Sequence, residues 1–166
     1  MLEWTEIHLG HDGPRLRITA SDAGIREIHF LRKTSAAPEG LRNHQNAVLR
    51  ETERQLVAYF ARELREFDLP LDMQGTEFQL RVWGELLRIP FGRTRSYMQV
   101  AEAIGAPKAV RAVGAANGAN PVAIVVPCHR VIGSNGKLVG YGGGMPLKQR
   151  LLELEGAISG SLLART

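Results

Sequence analysis

With 166 residues, 44% of them apolar, and a formal net charge of +4, the chain has enough apolar material for one large domain or two small ones with a proper core. Its apolar runs fall far short of the roughly 18 residues that span a bilayer, and Glu3 and Glu6 stand where a signal peptide would be basic, so the reading is a soluble, cytoplasmic protein with no membrane partner. The one cysteine, Cys128, excludes an intrachain disulfide framework and a Cys-rich zinc site, and the histidines at 8, 11, 29, 44 and 129 follow no metal-ligand spacing, so no metal is expected.

Residues 1–72 read as a scaffold of strands followed by a helix. Trp4 to Leu9 suits a strand, and Leu16-Arg17-Ile18-Thr19 and Arg26-Glu27-Ile28-His29-Phe30 alternate apolar and polar around the turn cluster Ser21-Asp22-Ala23-Gly24. That pattern predicts an antiparallel meander. After the Pro38-Glu39-Gly40 break, Leu49, Leu56, Phe60, Leu64 and Phe67 share one face at helical spacing, which predicts a helix from Asn46 to Phe67 covering the sheet. Leu69-Pro70-Leu71-Asp72 reads as the linker to a second domain over residues 73–166. Charge divides at the same place: 10 Lys/Arg face 12 Asp/Glu before it, and 11 face 5 after it.

The second half opens with helix punctuation. Thr76-Glu77-Phe78-Gln79 is a capping box, followed by Phe78, Val82, Leu86 and Ile89 on one face until Pro90-Phe91-Gly92 stops the helix. A second box, Ser96-Tyr97-Met98-Gln99, starts a short helix carrying Val100, Ala103 and Ile104 that Gly105 ends. Pro107 is placed at the first position of the next helix, running to about Ala116. Two short helices about a glycine turn suggest a helix-turn-helix in the basic half of the chain. The second helix is built from Ala109, Ala112, Gly114, Ala115 and Ala116, with Lys108 and Arg111 as its charges. So little bulk serves either tight helix packing or close approach to a nucleic-acid groove. The long side chains needed to read bases in the major groove are nearly absent, which favours shape contact.

Cys128 lies in Ile124-Val125-Val126-Pro127-Cys128-His129-Arg130-Val131, where Pro127 ends a strand-like apolar run at a polar turn. A lone thiol is either a small buried hydrophobe or a nucleophile. The imidazole beside it is expected to hold the thiolate below its free pKa of about 8.5.

Pro127-Cys128-His129-Arg130-Val131, preceded by Asn120-Pro121 and followed by Tyr141-Gly142-Gly143-Gly144 and Leu151-Leu152-Glu153-Leu154-Glu155-Gly156, resembles the O6-alkylguanine-DNA alkyltransferase family. The resemblance extends back through Gly75-Thr76-Glu77-Phe78-Gln79, Arg95-Ser96-Tyr97 and Pro107 to Gly114, and so covers residues 75 to 156. It implies an α/β N-terminal domain of ribonuclease-H-like type, an antiparallel sheet plus helix, before a mainly helical domain with a winged helix-turn-helix. The activity implied is direct-reversal DNA repair: irreversible, single-turnover transfer of an alkyl group from O6-alkylguanine, or O4-alkylthymine, in double-stranded DNA to Cys128, by a monomer able to load cooperatively.

In that resemblance His129 acts as base through a water, Glu155 orients the imidazole, and Asn120 fixes the hinge before the active-site loop. The target nucleotide is flipped out through the minor groove, Arg111 fills the gap it leaves, and Tyr97 turns the phosphate and donates to the base. Val131, Tyr141 and Gly142, with the Cys128 carbonyl, line the guanine pocket. Ser96, Lys108, Ala109, Ala112 and Gly114 lie against DNA. No cofactor is implied. Arg93 and Arg150 depart from many relatives, which carry Glu and Trp there. A non-catalytic lesion-binding protein and a DNA-binding sensor of alkylation or redox state remain as alternatives. The tail from Ala157 to Thr166 reads as a short frayed end.

Overall fold

The computed structural model describes residues 1–158; all but the first two residues of the expected frayed tail lie outside them. The chain divides into two compact units, Met1–Gln74 with Pro121–Val125, and Gly75–Asn120 with the described residues from Val126 onward.

In the first unit, β1 (Glu3–His8), β2 (Arg15–Ser21) and β3 (Gly24–Phe30) form the expected meander. A fourth strand, β4 (Leu41–Arg42), pairs with β1 in parallel, so the sheet is mixed, in the order β3-β2-β1-β4, and not purely antiparallel. Two residues without alternation carry no strand signal, which is why the sequence does not reveal β4. On β2, Leu16, Ile18 and Ala20 alternate with Arg17 and Thr19, and all five are buried. Arg17 is held by Glu6 at 2.9 Å and by the Ala36 carbonyl at 2.9 Å.

Helix α1 (Ala47–Phe60) is capped by Asn46, whose side chain accepts from the Leu49 amide, and it buries Leu49, Leu56 and Tyr59. It stops seven residues before the expected end at Phe67. Arg62 takes a left-handed conformation (φ 62°), the Glu63 amide bonds the Ala58 carbonyl and the Arg62 amide bonds that of Tyr59. That is a Schellman cap with Arg where glycine is usual, so the sequence shows no stop signal. Phe67 still reaches the core, lying 5.3 Å from the Tyr59 ring, because Gln55 exchanges two hydrogen bonds with the backbone of Asp68.

The expected linker is anchored along β3: the Ile25 amide bonds the Pro70 carbonyl and the Asp72 amide bonds that of Ile25. A Cβ at Gly24 would fall 2.6 Å from the Pro70 carbonyl oxygen, so this approach requires glycine. Pro121–Val125 adds to the same strand through Ile28 to Pro121 and Ala123 to Ile28 hydrogen bonds. A single cut after residue 72 therefore misses five residues that return to the first unit.

In the second unit, α2 (Glu77–Leu86) and α3 (Tyr97–Ala103) begin at the two capping boxes, with both reciprocal hydrogen bonds formed at each. Gly105 (φ 74°) turns the chain after α3. Helix α4 (Val110–Gly118) starts later than expected: Pro107 and Lys108 occupy a turn closed by the Ala109 amide on the Ala106 carbonyl. The short strands β5 (Arg95–Ser96) and β6 (Val131–Ile132) pair in parallel, and α5 (Met145–Leu154) closes the unit. Val82, Trp83, Leu86, Val100, Val113 and Leu151 form its core, with the Trp83 indole donating to the Ala116 carbonyl at 2.8 Å.

Candidate active site

The apolar run before Cys128 is a pair of tight turns and not a strand. Ile124 has φ 72°, and the Val125 amide bonds the Ala123 carbonyl across it, a γ-turn with positive φ at its centre. Pro127 (φ −83°, ψ 63°) centres an inverse γ-turn, with the Cys128 amide on the Val126 carbonyl at 2.8 Å. Asn120 donates to that same carbonyl at 2.8 Å. The turn thus delivers Cys128 and His129 onto a single 3-10 turn, Cys128–Arg130.

Cys128 is 8% exposed. Burial raises its pKa above the ordinary thiol value, opposed by the Asn120 amide, the charge of Lys148 and the backbone N–H groups of Cys128 and His129. The expected depression by the adjacent imidazole does not occur, because His129 is itself fully buried and its pKa is lowered by burial, with Arg130 and Lys148 adding to the effect against Glu155. His129 Nε2 lies 2.8 Å from Glu155 Oε2. Burial opposes ionisation of Glu155, but hydrogen bonds from His129 and Arg130 outweigh it and hold its pKa at about 2. An ionised carboxylate only accepts, so the neutral ring carries its hydrogen on Nε2 and keeps a lone pair on Nδ1. Nδ1 is buried and has no hydrogen-bond partner among the described residues.

Two cations shape this site, and neither was expected to. Arg130 donates to Glu155 from Nε (2.8 Å) and an Nη (2.9 Å), and to the Ile89 carbonyl at 2.7 Å. Lys148, fully buried on α5, donates to the carbonyls of Val131 (2.7 Å), Val139 (2.8 Å) and Gly140 (3.3 Å). Burial lowers its pKa to about 8 against the effect of Cys128.

The remaining expected pocket residues converge in part. Tyr97 begins α3, and its hydroxyl lies 3.5 Å from the Val139 carbonyl. Its pKa is raised by burial and by Cys128. The Tyr141 ring stands edge-on to His129, 6.3 Å between centroids. The backbone acceptors named from the resemblance are already engaged: the Cys128 carbonyl takes the Val131 amide and Asn117 Nδ2 (3.4 Å), and the Val131 carbonyl takes Lys148. Gly142 is exposed. Among the described residues no group of three His, Cys, Asp or Glu is placed to hold a metal ion.

On α4 the packing separates the two readings of the small residues. Val113, Ala116 and Asn117 face inward, while Ala112 and Ala115 are exposed together with Lys108 and Arg111. Smallness on the outer face does not serve internal packing and leaves a smooth surface crossed by one long cation. Ala109 and Gly114 are half-buried beside it, a Cβ at Gly114 standing 3.9 Å from the Tyr97 ring, and Ser96 is the N-cap of α3.

Residues 14–73 match the family model for the 6-O-methylguanine DNA methyltransferase ribonuclease-like domain, and residues 77–157 that for the DNA binding domain of the same family. The chain is 49% identical over 147 residues to a methylated-DNA–protein-cysteine methyltransferase of Methanosarcina acetivorans, covering 87% of this chain and 93% of that one. The chain belongs to the methylated-DNA–protein-cysteine methyltransferase family. The Mycobacterium bovis member is 67% identical over 101 residues, a match spanning 61% of either chain. The structure of Mycobacterium tuberculosis OGT in complex with DNA superposes with a TM-score of 0.84 at 46% identity, covering 99% of both chains. Neither capping nor periodicity could have marked Lys148, Arg130 or Asn117 as members of the cluster around Cys128 and His129, since each is recruited by burial that only the tertiary fold creates.

Proposed function

We propose that this chain repairs alkylated DNA by direct reversal, moving the alkyl group of O6-alkylguanine to Cys128 once per protein molecule, in the cytoplasm. The observation that carries the reading is a buried thiol next to a neutral imidazole whose Nδ1 lone pair is unengaged and whose Nε2 is held by an ionised carboxylate. The thiol begins protonated. His129 Nδ1 takes its proton through a bridging water, Glu155 stabilises the imidazolium so formed, and Lys148 stabilises the thiolate. The sulfur attacks the alkyl carbon in line, so an S–C bond forms as the O6–C bond breaks and the electron pair leaves on guanine. Tyr97, kept protonated by its raised pKa, is the donor that meets that charge. The product is a thioether with no polarised carbonyl for water to attack, and the protein is consumed.

DNA engages the smooth outer face of α4, with Arg111 entering the stack where the lesion nucleotide has left it, Lys108 and Ser96 on the backbone, and the segment after β6 as a wing. The test is Cys128→Ser: it binds a duplex carrying O6-methylguanine as wild type does and transfers nothing. A Cys128→Ser protein that still removes the methyl group overturns the mechanism.

A further inference from the structure

The sequence holds two Asn-Gly pairs, Asn117-Gly118 and Asn135-Gly136, and the fold treats them in opposite ways. Such a pair is prone to spontaneous loss of the side-chain amide, because glycine has no Cβ to shield its backbone nitrogen from the preceding side chain. Asn117 is buried on α4, its Nδ2 donating to the Cys128 carbonyl, and Gly118 is still inside the helix. A helical backbone keeps that nitrogen hydrogen-bonded to the preceding turn. Asn135 is exposed, in the turn that follows β6. There the Gly136 amide donates to the Gly133 carbonyl at 2.9 Å, the Gly133 amide donates to the Lys137 carbonyl at 2.8 Å, and Gly136 takes φ 79°, closing a tight turn with a glycine bulge.

Asn135 Oδ1 accepts from the Lys137 amide at 3.1 Å. That hydrogen bond folds the side chain back along the Gly136 peptide and polarises its carbonyl, where an oxyanion forms when the carbon is attacked. The bond that must open first is the one made by the Gly136 amide, and exposed turns lie at the low end of local opening free energies. The Gly136 nitrogen then gives its proton to solvent base and attacks Asn135 Cγ; the N–C bond forms, the Cγ–Nδ2 bond breaks and ammonia leaves. Water opens the cyclic imide at either carbonyl, giving aspartate or iso-aspartate. Both products carry a carboxylate. Residues 131–144 hold one charged side chain, Lys137, so the reaction takes this segment from a net positive charge to none.

We propose that Asn135 is a site of spontaneous deamidation, and that the carboxylate it produces weakens the hold of this segment on DNA as the protein ages. The effect on DNA rests on the reading above that the segment after β6 is a wing against the duplex. A new negative charge beside phosphates acts by direct repulsion and by cancelling the cation that releases counterions.

The experiment incubates the full chain in mildly alkaline buffer and follows both Asn-Gly pairs by peptide mapping and mass. Asn135 is expected to convert more than about tenfold faster than Asn117 in the folded protein, and the two at similar rates in urea. Duplex affinity of wild type, read by fluorescence anisotropy at low salt, is expected to fall about threefold or more in step with conversion, the loss shrinking as salt rises. Asn135→Ser is expected to keep through the same incubation whatever affinity it has when fresh, and Asn135→Asp to bind more weakly than wild type from the start. Conversion at Asn135 no faster than at Asn117, conversion without loss of affinity, or an equal loss in aged Asn135→Ser overturns the proposal. Fresh wild type that does not bind the duplex overturns the underlying reading instead, so the two failures are distinct.

Discussion

Replacing Glu155 by Gln removes one charge from a cluster in which nearly everything else is buried. The carboxylate accepts from His129 and twice from Arg130, which is 7% exposed. Its pKa falls from an ordinary 4.5 to about 2, and at about 1.4 kcal/mol per pKa unit this is about 3 kcal/mol of stability at neutral pH. A second route agrees: stripping one partner from a buried ion pair costs about 3–5 kcal/mol because the other charge stays buried. Because the folded pKa is depressed, the contribution is complete above the ordinary carboxylate value and disappears as pH falls through about 2. Urea unfolding followed by tryptophan fluorescence at pH 7 and at steps from pH 4.5 downward measures both parts. Glu155→Gln is expected to lose about 3 kcal/mol or more at pH 7, with the gap to wild type narrowing over the acid steps. Combining it with Arg130→Met is expected to recover part of the loss, since the orphaned guanidinium goes too. A loss under about 1 kcal/mol at pH 7, or one that does not narrow in acid, refutes the assignment of Glu155 as a buried, charged partner.

Lys148→Met removes the cation whose charge favours the thiolate, so the rate of Cys128 alkylation by iodoacetamide should shift its pH midpoint upward and methyl transfer should slow about tenfold or more; Cys128 is the one cysteine of the chain, which makes the reading unambiguous. An unchanged midpoint contradicts the role given to Lys148. Arg111→Ala is expected to weaken duplex binding and reduce the salt slope by about one, with the melting temperature unchanged. Ala115→Leu, which adds bulk to the exposed face of α4, should weaken binding at unchanged salt slope; wild-type affinity in fluorescence anisotropy would place DNA elsewhere.

Much of this organisation was legible because it is written in local signals. The boxes Thr76/Gln79 and Ser96/Gln99 mark the starts of α2 and α3, and the alternation in β2 and β3 marks the meander. What escaped depends on conformations or burial that no local pattern encodes. Arg62 ends α1 in a left-handed cap that sequence reading expects of glycine, and Ile124 turns the chain at a φ that β-branched residues avoid. Cys128, His129 and Glu155 were named together through the family resemblance; the fold seats Cys128 and His129 on one 3-10 turn and brings His129 within 2.8 Å of Glu155. The thiol's protonation did not follow from adjacency to His129, since burial raises Cys128 and lowers His129 at once. Lys148 and Asn117 look like ordinary residues of α5 and α4 until the fold encloses them.

The most direct test of the account is intact-protein mass spectrometry with peptide mapping after titration with a duplex carrying one O6-methylguanine. The account predicts a single methyl-sized gain on Cys128 that saturates at one per protein molecule and leaves no activity toward a second equivalent. Tight binding of the lesion with no gain in mass, or repair that continues past one equivalent, would contradict it.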